Sequence, residues 1–346
     1  MSRIVTLYNH KGGVSKTTTT FNVAHDLARS GVKTLVVDAD PQCNMTELLM
    51  FKTIEEYDEQ GIEDLPGKSL LDLLKPRISG ETASIEIKKE DIVPITDNLS
   101  ILRGDVNLST VEDALAEAHI QRFSTKIHEK RTYVALADAL RRLAASQGFQ
   151  AVLIDVGPSS GALTRTCFLS CDGFLVPTMP DRFNVQAVQT LSAIVDRWLS
   201  EHAQIVSDFK ELSLPISPGR PKFLGGIIQG FKLYKGKPKK SFAYWMNKLP
   251  GRFDSKLIDV LKKHSTPTDD LTNGLGGHTI ISNIPYFESL APMMQATGKP
   301  VFAITQEDTA IIDGGPWQGS VWQDAQTRMA LYEVELKTIS TAIMSI

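Results

Sequence analysis

The chain has 346 residues, of which 42% are hydrophobic and 22% are charged, and its formal net charge is −3. This composition is typical of a globular protein of one large or two modest domains, and no apolar run approaches the ~20 residues of a membrane-spanning helix. The chain enters its first strand too early for a signal peptide, and its three cysteines show neither metal-binding spacing nor the even number typical of disulfide frameworks. We therefore expect a cytoplasmic protein with buried, reduced thiols.

The first forty residues predict a strand, a glycine-rich loop, a helix and a second strand. Residues 4–8 form a short apolar run rich in β-branched side chains, which is typical of a buried strand. Apolar side chains recur with helical periodicity over residues 17–30, and Gly31 ends the pattern. The next apolar run, at 34–37, predicts a second, parallel strand, because strand–helix–strand units form right-handed crossovers.

The rest of the chain continues this alternation around two charged segments. Residues 51–66 carry six acids and one lysine, and we predict that they form an exposed excursion. Predicted strands lie at 99–102, 150–155, 173–177, 225–229, 279–284 and 301–304, and predicted helices at 70–74, 134–146, 187–199 and 325–343. The pattern indicates one α/β domain over 1–346, with a doubly wound, mainly parallel sheet flanked by helices. The acidic excursion and a basic insertion within 205–275 would decorate this domain.

The sequence KGGVSKTT at residues 11–18 lies between the first strand and the first helix. Small residues at such a turn direct several backbone N–H groups toward one point, and the positive end of the helix adds to their partial charge. Lys16 would supply a full charge for β- and γ-phosphates, and the Thr17 hydroxyl is a natural Mg²⁺ ligand. A second lysine, Lys11, begins the loop, although a phosphate-binding loop needs only one.

An acid ends the apolar strand predicted at 150–155. Asp155 follows the loop at the distance expected for a Walker B element, in which such an aspartate holds Mg²⁺ directly or through water. The alternative is that Asp155 only caps its strand. A second acidic motif, DADPQ at 38–42, follows the strand predicted at 34–37.

These motifs carry a family resemblance. HKGGVSKTTTTFNVA resembles the deviant Walker A box of ParA/MinD-type ATPases, DADPQ resembles the second box of that family, and LIDVGPS resembles its Walker B region. The later segments VPTMPD and IPYFESLAPMMQATGKPV also resemble family landmarks, so the resemblance covers nearly the whole chain. It implies the fold of a P-loop NTPase, ATP and Mg²⁺ as cofactors, and slow ATP hydrolysis stimulated by a partner.

The resemblance also implies roles for individual residues. Lys16 would be the phosphate lysine, Lys11 would reach across a dimer interface to the partner's nucleotide, and Asp40 would orient the attacking water. The nucleotide-binding residues would be Lys11, Gly12, Gly13, Val14, Ser15, Lys16, Thr17 and Thr18, and the Mg²⁺ ligands would be Thr17, Asp40 and Asp155. A cation supplied by the partner subunit would make hydrolysis conditional on dimerisation.

Ser15 departs from the family pattern, which usually has glycine immediately before the phosphate lysine. If the backbone there requires a positive φ, serine costs on the order of 1 kcal/mol and is tolerated only where the surroundings fix it. We expect nucleotide binding to survive this substitution.

Residues 220–263 carry twelve lysines and arginines against two aspartates, a net charge of +10 that leaves −13 for the remainder. Such residues neutralise phosphates without reading sequence, and ParA-type proteins bind DNA non-specifically as ATP dimers. The interleaved aromatic residues are Phe231, Tyr234, Phe242, Tyr244, Trp245 and Phe253. The resemblance implies DNA contacts by Lys232, Lys235, Lys237, Lys239, Lys240 and Arg252. The alternative is a solvated loop whose aromatic residues pack on the core.

The implied partners are a second copy of the chain on ATP binding, non-specific DNA, and a ParB-like activator or cargo adaptor, with localisation on the nucleoid. The helix predicted at 325–343 has mixed charge, which favours packing on its own domain over membrane docking. Other functions remain open, including a MinD-like membrane-associated or nucleotide-gated regulatory ATPase and a metabolic enzyme such as a cobyrinate-type amide synthetase. The cargo could be a plasmid, a chromosome, a mobile element or a protein cluster.

Overall fold

The computed structural model describes residues 2–346, and one large sheet organises the fold. The strands are β1 (Arg3–Leu7), β2 (Thr34–Ala39), β3 (Val93–Thr96), β4 (Leu99–Leu102), β5 (Ala151–Val156), β6 (Gly173–Thr178), β7 (Lys222–Phe231), β8 (Leu233–Tyr234), β9 (Lys237–Pro238) and β10 (Ile280–Pro285). The first helices are α1 (Lys16–Arg29), α2 (Asn44–Leu49), α3 (Phe51–Gln60), α4 (Leu70–Ile78), α5 (Glu112–Ile120), α6 (Ile127–Gln147), α7 (Ala162–Ser170) and α8 (Arg182–Ala203). The others are α9 (Val206–Glu211), α10 (Lys240–Met246), α11 (Leu249–Phe253), α12 (Asp259–His264), α13 (Leu290–Thr297), α14 (Ala310–Asp313) and α15 (Gly319–Met344).

The sheet has eight strands in the order β10-β7-β6-β1-β5-β2-β4-β3. Its neighbouring strands are parallel except β3 and β4, which are antiparallel. Strand β1 pairs with β5 on one side and β6 on the other, so the chain connections change direction there. Such a reversal leaves a crevice at the carboxyl ends of the strands, where ligands bind. The predicted doubly wound, mainly parallel sheet is confirmed.

Alternation along the strands sends side chains into two cores. Ile4 belongs to the core shared with α4, α6, α7 and α8, whereas its neighbour Val5 belongs to the core shared with α1, α13 and α15. Strands covered on both faces have continuous apolar runs, and the predictions at 99–102 and 150–155 therefore lie close to the observed strands. The three cysteines are buried free thiols, as predicted.

The carboxy-terminal helix α15 packs along α1 and β10. Tyr332, Leu336, Ile339 and Ile343 are buried, and the Tyr332 hydroxyl donates a hydrogen bond of 2.7 Å to the carbonyl oxygen of Tyr286. The prediction that this helix packs on the rest of the protein is confirmed. Within residues 2–346, no helix combines the length and the apolar character that crossing a membrane requires.

The strand predicted at 301–304 is wrong, because Val301–Ala303 form a short 3₁₀ helix. The backbone N–H of Ala303 bonds back to the carbonyl oxygen of Pro300 at 2.9 Å. The N–H of Val301 donates to the buried side-chain oxygen of Asn22 in α1 at 2.7 Å. The apolar side chains thus pack against α1 while the backbone turns. Periodicity over so few residues does not distinguish such a turn from a strand.

The acidic segment 51–66 is largely helical, because α3 covers Phe51–Gln60. None of the residues of α3 is buried, which agrees with the predicted exposure. Its first residue, Phe51, nevertheless lies against Gly298, where an added Cβ would come within 3.0 Å of the Phe51 Cβ. The excursion therefore begins at a tight contact with the loop that follows α13.

Candidate nucleotide-binding site

The glycine-rich loop lies at the carboxyl end of β1, in the crevice where the sheet connections reverse. Gly13 has φ 72° and Ser15 has φ 58°, so two residues of the loop adopt the left-handed conformation. Backbones that alternate between right- and left-handed residues turn successive N–H groups toward one concave anion site. Ser15 is also the N-cap of α1, and its side chain makes no capping hydrogen bond. The position before Lys16 therefore does require a positive φ, and serine adopts it.

Lys16 is the buried cation of this loop, with only 7% of its surface exposed. Its ammonium group donates hydrogen bonds of 3.2 Å to the carbonyl oxygens of Asn9 and Lys11. Burial lowers the pKa of Lys16, and the nearby carboxylates of Asp155 and Asp40 partly offset that effect. A desolvated ammonium held by two neutral acceptors is well suited to bind an anion that enters the loop.

Asn9 anchors the loop and was not predicted from the sequence. Its side-chain amide donates a hydrogen bond of 2.8 Å to the carbonyl oxygen of Pro177 at the end of β6. Its side-chain oxygen accepts the backbone N–H of Lys11 at 3.0 Å. Lys11 itself is exposed at the rim of the crevice and forms no ion pair within residues 2–346. The structure thus places the two lysines differently, with Lys16 inside the loop and Lys11 at its outer edge.

Asp155 lies within β5 and is almost fully buried. Neither of its carboxylate oxygens has a hydrogen-bond partner that satisfies standard geometry within residues 2–346. Burial raises the pKa of Asp155 well above its usual value, as does the charge of Asp38, while the Thr17 side chain and the charge of Lys16 act in the opposite direction. Buried, unsatisfied carboxylate oxygens beside a threonine hydroxyl are the donor set that Mg²⁺ prefers. The site therefore fits the predicted metal ion.

Asp40 lies just after β2, the strand that pairs with β5. Its Oδ1 atom accepts the backbone N–H of Gln42 at 3.0 Å. Gly157, just after β5, approaches so closely that an added Cβ would be 3.1 Å from the same oxygen. The backbone after β5 thus packs directly on the carboxylate predicted to orient water.

Asp38 is a functional candidate to which the sequence analysis gave no role, although it lies in the DADPQ motif. Its Oδ2 atom accepts hydrogen bonds from the backbone N–H and the hydroxyl of Thr46, at 2.9 and 2.7 Å. Its Oδ1 atom accepts the backbone N–H of Asp40 at 3.2 Å. Burial raises the pKa of Asp38 to about 6, against the effect of the Thr46 hydrogen bonds. Asp38 therefore positions Asp40 and the first turn of α2.

A cleft of about 760 Å³ opens over the loop. Its walls combine residues 12–18 and Asp40 with parts of α2, α3 and α13. The lining residues outside the predicted set are Gln42, Asn44, Glu47, Leu48, Phe51, Pro158, Met294 and Gln295. The start of the acidic excursion therefore forms a wall of the cleft, which its charge pattern gave no reason to expect.

A second cleft, of about 540 Å³, lies on the other side of Ser15 and Thr18. Gln229 at the end of β7 connects it to the loop, accepting the hydroxyl of Thr19 at 2.7 Å and donating to the carbonyl oxygen of Val14 at 3.4 Å. Lys232, one of the predicted DNA-binding residues, also lines this cleft. The only feature of the sequence that pointed to Gln229 is that this polar residue ends the apolar strand predicted at 225–229.

The basic segment forms a hairpin and a short helix beyond β7. Lys235 and Gly236, with φ values of 50° and 72°, make the turn between β8 and β9, as positive-φ residues do in tight hairpins. Five of the predicted DNA-binding residues are exposed and form no ion pair within residues 2–346, namely Lys232, Lys235, Lys237, Lys239 and Lys240. Arg252 differs, because it is partly buried and donates to the side-chain oxygen of Gln189.

The aromatic residues of this segment divide between the core and the surface. Phe231 and Phe253 are buried in the main core, whereas Tyr234 and Tyr244 are exposed. Lys248 stacks over Tyr244, with its ammonium 4.3 Å from the ring centroid. The alternative in which the aromatic residues pack on the core therefore holds for Phe231 and Phe253, and for the partly buried Phe242, but not for the exposed tyrosines.

A family profile described as an AAA domain matches residues 2–206. The sporulation initiation inhibitor protein Soj of Bacillus subtilis is 30% identical over 235 residues, which cover 68% of this chain and 80% of Soj. The chromosome partitioning protein ParA of Caulobacter vibrioides is 29% identical over 195 residues, which cover 56% of this chain and 62% of that ParA.

The first curated relatives are matched over less than two thirds of their own length. Among solved structures, the ATP complex of Cyanothece McdA has a TM-score of 0.58 and 18% identity, covering 92% of this chain and 98% of McdA. That likeness supports the fold. Because the family profile covers more than half of the chain and Soj is matched over most of its length, this chain belongs to the ParA/MinD-type family of P-loop ATPases.

Proposed function

We propose that the protein is an ATP-dependent partition or positioning ATPase, which forms a dimer on binding ATP and binds DNA non-specifically. The observation that carries this proposal is the arrangement around Lys16. A buried ammonium, a concave set of backbone N–H groups and the unsatisfied carboxylate of Asp155 meet at one edge of the sheet. This arrangement matches the charge of a nucleoside triphosphate with a divalent cation.

Binding of the triphosphate would use groups that are already in place. Lys16 would exchange its two long bonds to carbonyl oxygens for shorter, charge-assisted bonds to phosphate oxygens. Thr17, Asp155 and Asp40 would hold Mg²⁺, whose charge would neutralise the β- and γ-phosphates. Asp40 would orient the water for in-line attack, in a position fixed by Asp38 and by the backbone of Gly157.

Dimerisation would add the remaining charge. Lys11 is exposed at the rim of the cleft and free of ion pairs within residues 2–346, so it is available to a neighbouring subunit's nucleotide. Hydrolysis would then depend on the partner copy, as it does for a cation supplied in trans. A ParB-like activator or cargo adaptor would stimulate this step.

DNA binding would use the hairpin formed by β8 and β9. Its exposed lysines are suited to neutralise phosphates, and exposed Tyr234 adds a flat surface beside them. Gln229 in β7 bonds to Thr19 beside the nucleotide loop, and Lys232 directly follows β7. The hairpin therefore begins within a few residues of the contact with the nucleotide loop. We propose a cytoplasmic, nucleoid-associated protein whose chain is one ATPase domain with an acidic and a basic surface addition.

The proposal is tested by comparing the wild type with Lys16→Ala for ATP binding, ATP hydrolysis and retention on DNA of arbitrary sequence. Removing a buried charged donor should weaken ATP binding by about tenfold to a hundredfold. Retention on DNA should require ATP in the wild type and should be absent in the variant. Anionic liposomes at the same salt concentration should retain neither protein.

Lys210→Ala is a matched control, because Lys210 is exposed on α9, outside the cleft over the loop. It should bind and hydrolyse ATP like the wild type. A wild-type protein that fails to bind ATP would overturn the proposal. ATP-dependent binding to liposomes in place of DNA would favour the MinD-like alternative.

A further inference from the structure

The loop between β5 and α7, residues 157–161, has a carboxylate close to each of its ends. At its start, Gly157 lies against Asp40. Next, Pro158 packs over the phosphate-binding loop, where an added Cβ on Gly12 would lie 3.7 Å from the Pro158 Cβ. At its end, the carboxylate of Glu112 accepts the backbone N–H groups of α7. This loop therefore bridges the nucleotide cleft and a second, remote anchoring point.

Glu112 supplies the cap that α7 lacks in its own sequence. The residue before α7 is Gly161, which has no side chain to accept the free N–H groups of the first turn. The Glu112 carboxylate accepts the N–H of Ala162, and its other oxygen accepts the N–H of Leu163 at 3.1 Å. A side chain at position 161 would collide with the same carboxylate, so the close approach requires glycine.

Two further hydrogen bonds join α5 to α7 and α7 to the end of the loop. His119 of α5 and Thr166 of α7 are joined by a hydrogen bond of 2.9 Å in the buried interface. Ser159 of the loop and Thr164 of α7 are joined by one of 2.8 Å. Ser159 thus ties the loop to α7, and Glu112 and His119 tie α7 to α5, so these contacts oppose movement of the loop away from Gly12 and Asp40.

We propose that Glu112 is a positioning residue for ATP hydrolysis, acting through α7 on the backbone at Gly157 and Pro158. This inference rests on the proposed function. The N–H groups that would bind the phosphates belong to the loop between β1 and α1, whereas the hydrogen bonds that Glu112 accepts come from α7. Loss of the Glu112 cap should therefore lower turnover and leave nucleotide affinity unchanged.

The test compares Glu112→Gln with Asp113→Asn in the full-length protein. Glutamine loses the negative charge and one of the two acceptor oxygens, whereas Asp113 is an exposed acid in the same first turn of α5. We expect Glu112→Gln to reduce kcat about fivefold to tenfold with the Kd for ATP within twofold of wild type. Asp113→Asn should change neither quantity.

Amide hydrogen exchange provides a readout that does not require activity. In Glu112→Gln, exchange should accelerate over residues 157–163 and stay unchanged over residues 11–18. Ser159→Ala removes the other attachment of the loop and should give the same separation of kcat from Kd, which covers the case in which Glu112→Gln folds poorly.

An active wild type with unchanged kcat and unchanged exchange in both loop variants would overturn this inference and leave the proposed function intact. Equal losses in kcat and in ATP affinity would also overturn it. A wild type without ATP hydrolysis would overturn the proposed function, and the exchange measurement would still decide whether Glu112 holds the loop.

Discussion

Ser15 adopts a left-handed backbone conformation immediately before the buried lysine of the nucleotide loop. A side chain with a Cβ is strained there, and no hydrogen bond from the serine side chain to the end of α1 compensates. The surrounding loop must therefore hold this geometry, with the N–H of Thr19 bonded to the Ser15 carbonyl oxygen at 3.0 Å. The strained backbone at Ser15 lowers the stability of the protein, and the same conformation helps to form the anion site.

Ser15→Gly should raise the free energy of unfolding by about 1 kcal/mol, because glycine adopts the same φ without strain. Nucleotide affinity should change by less than about threefold, since the backbone N–H groups and Lys16 are unaltered. Chemical denaturation and titration of labelled ATP measure the two effects.

Ser30→Gly is the matched control for this prediction. Ser30 caps the other end of α1 with φ −78°, so glycine relieves no strain there and should give no gain in stability. A loss of stability in Ser15→Gly would contradict the argument from backbone strain.

Each residue predicted for the nucleotide site belongs to a short local motif in the sequence. Lys16 and Thr17 follow from the loop, and Asp155 follows from an acid at the end of an apolar strand. Glu112 was missed because its partners lie far along the chain, at the start of α7, and Asn9 was missed because its side chain is anchored to Pro177, which is also distant in the sequence. No spacing within a short segment signals such contacts.

The hairpin β8–β9 presents its charges on a structure with little support of its own. Its two strands are two residues long, and Tyr234 is 65% exposed at its surface. Such a hairpin is marginal in isolation, so its register depends on its attachment to β7. The exposed lysines are therefore displayed rather than packed, and their replacement should not disturb the core.

Reversing four charges of the hairpin should abolish most retention on DNA while ATP hydrolysis in the absence of DNA stays within twofold of wild type. The substitutions are Lys235→Glu, Lys237→Glu, Lys239→Glu and Lys240→Glu. A control with the same change in net charge replaces four exposed lysines elsewhere, at Lys88, Lys89, Lys126 and Lys337. Equal losses of DNA retention in both variants would show that net charge, and not the hairpin, binds DNA.

The secondary structure could be predicted where apolar runs are buried on both faces, as in β4 and β5. The hairpin was not predicted, because the turn residues Lys235 and Gly236 lie in a segment dominated by charge. The segment 301–304 was wrongly predicted to be a strand, because so short an apolar run is consistent both with a strand and with a turn packed on α1. Tertiary contacts decide such short segments.

Lys11 is exposed and lies next to Gly12, the first residue of the loop that lines the cleft. The acids that polarise the site, Asp38, Asp40 and Asp155, all belong to the same chain as Lys16. Among the residues 2–346 that the structure describes, Lys16 is the only cation that lines the cleft, so a second cation near the phosphates would come from another subunit. We therefore expect the assembled dimer to be the hydrolytic unit.

Lys11→Ala should retain ATP affinity within about threefold and lose at least about tenfold in turnover per subunit. In the wild type, turnover per subunit should rise with protein concentration as dimers form, and in the variant it should stay flat. Sedimentation with ATP would report dimer formation separately. Lys126→Ala, at an exposed position near the start of α6, should behave like the wild type; a similar concentration dependence in Lys11→Ala would contradict a role in trans.

The short connection through β7 has an electrostatic consequence. Lys232 is three residues beyond Gln229, which bonds to the phosphate loop, and three extended residues span roughly 10 Å, close to the Debye length of about 8 Å at physiological ionic strength. The negative charge of a bound triphosphate would lower the positive potential at the hairpin, and would by itself weaken attraction to DNA. We therefore expect a gain in DNA affinity on ATP binding to come from the number of hairpins that engage the duplex together. Two hairpins on one dimer would turn a weak contact into a bivalent one, and their spacing would set the length of DNA that each dimer occupies.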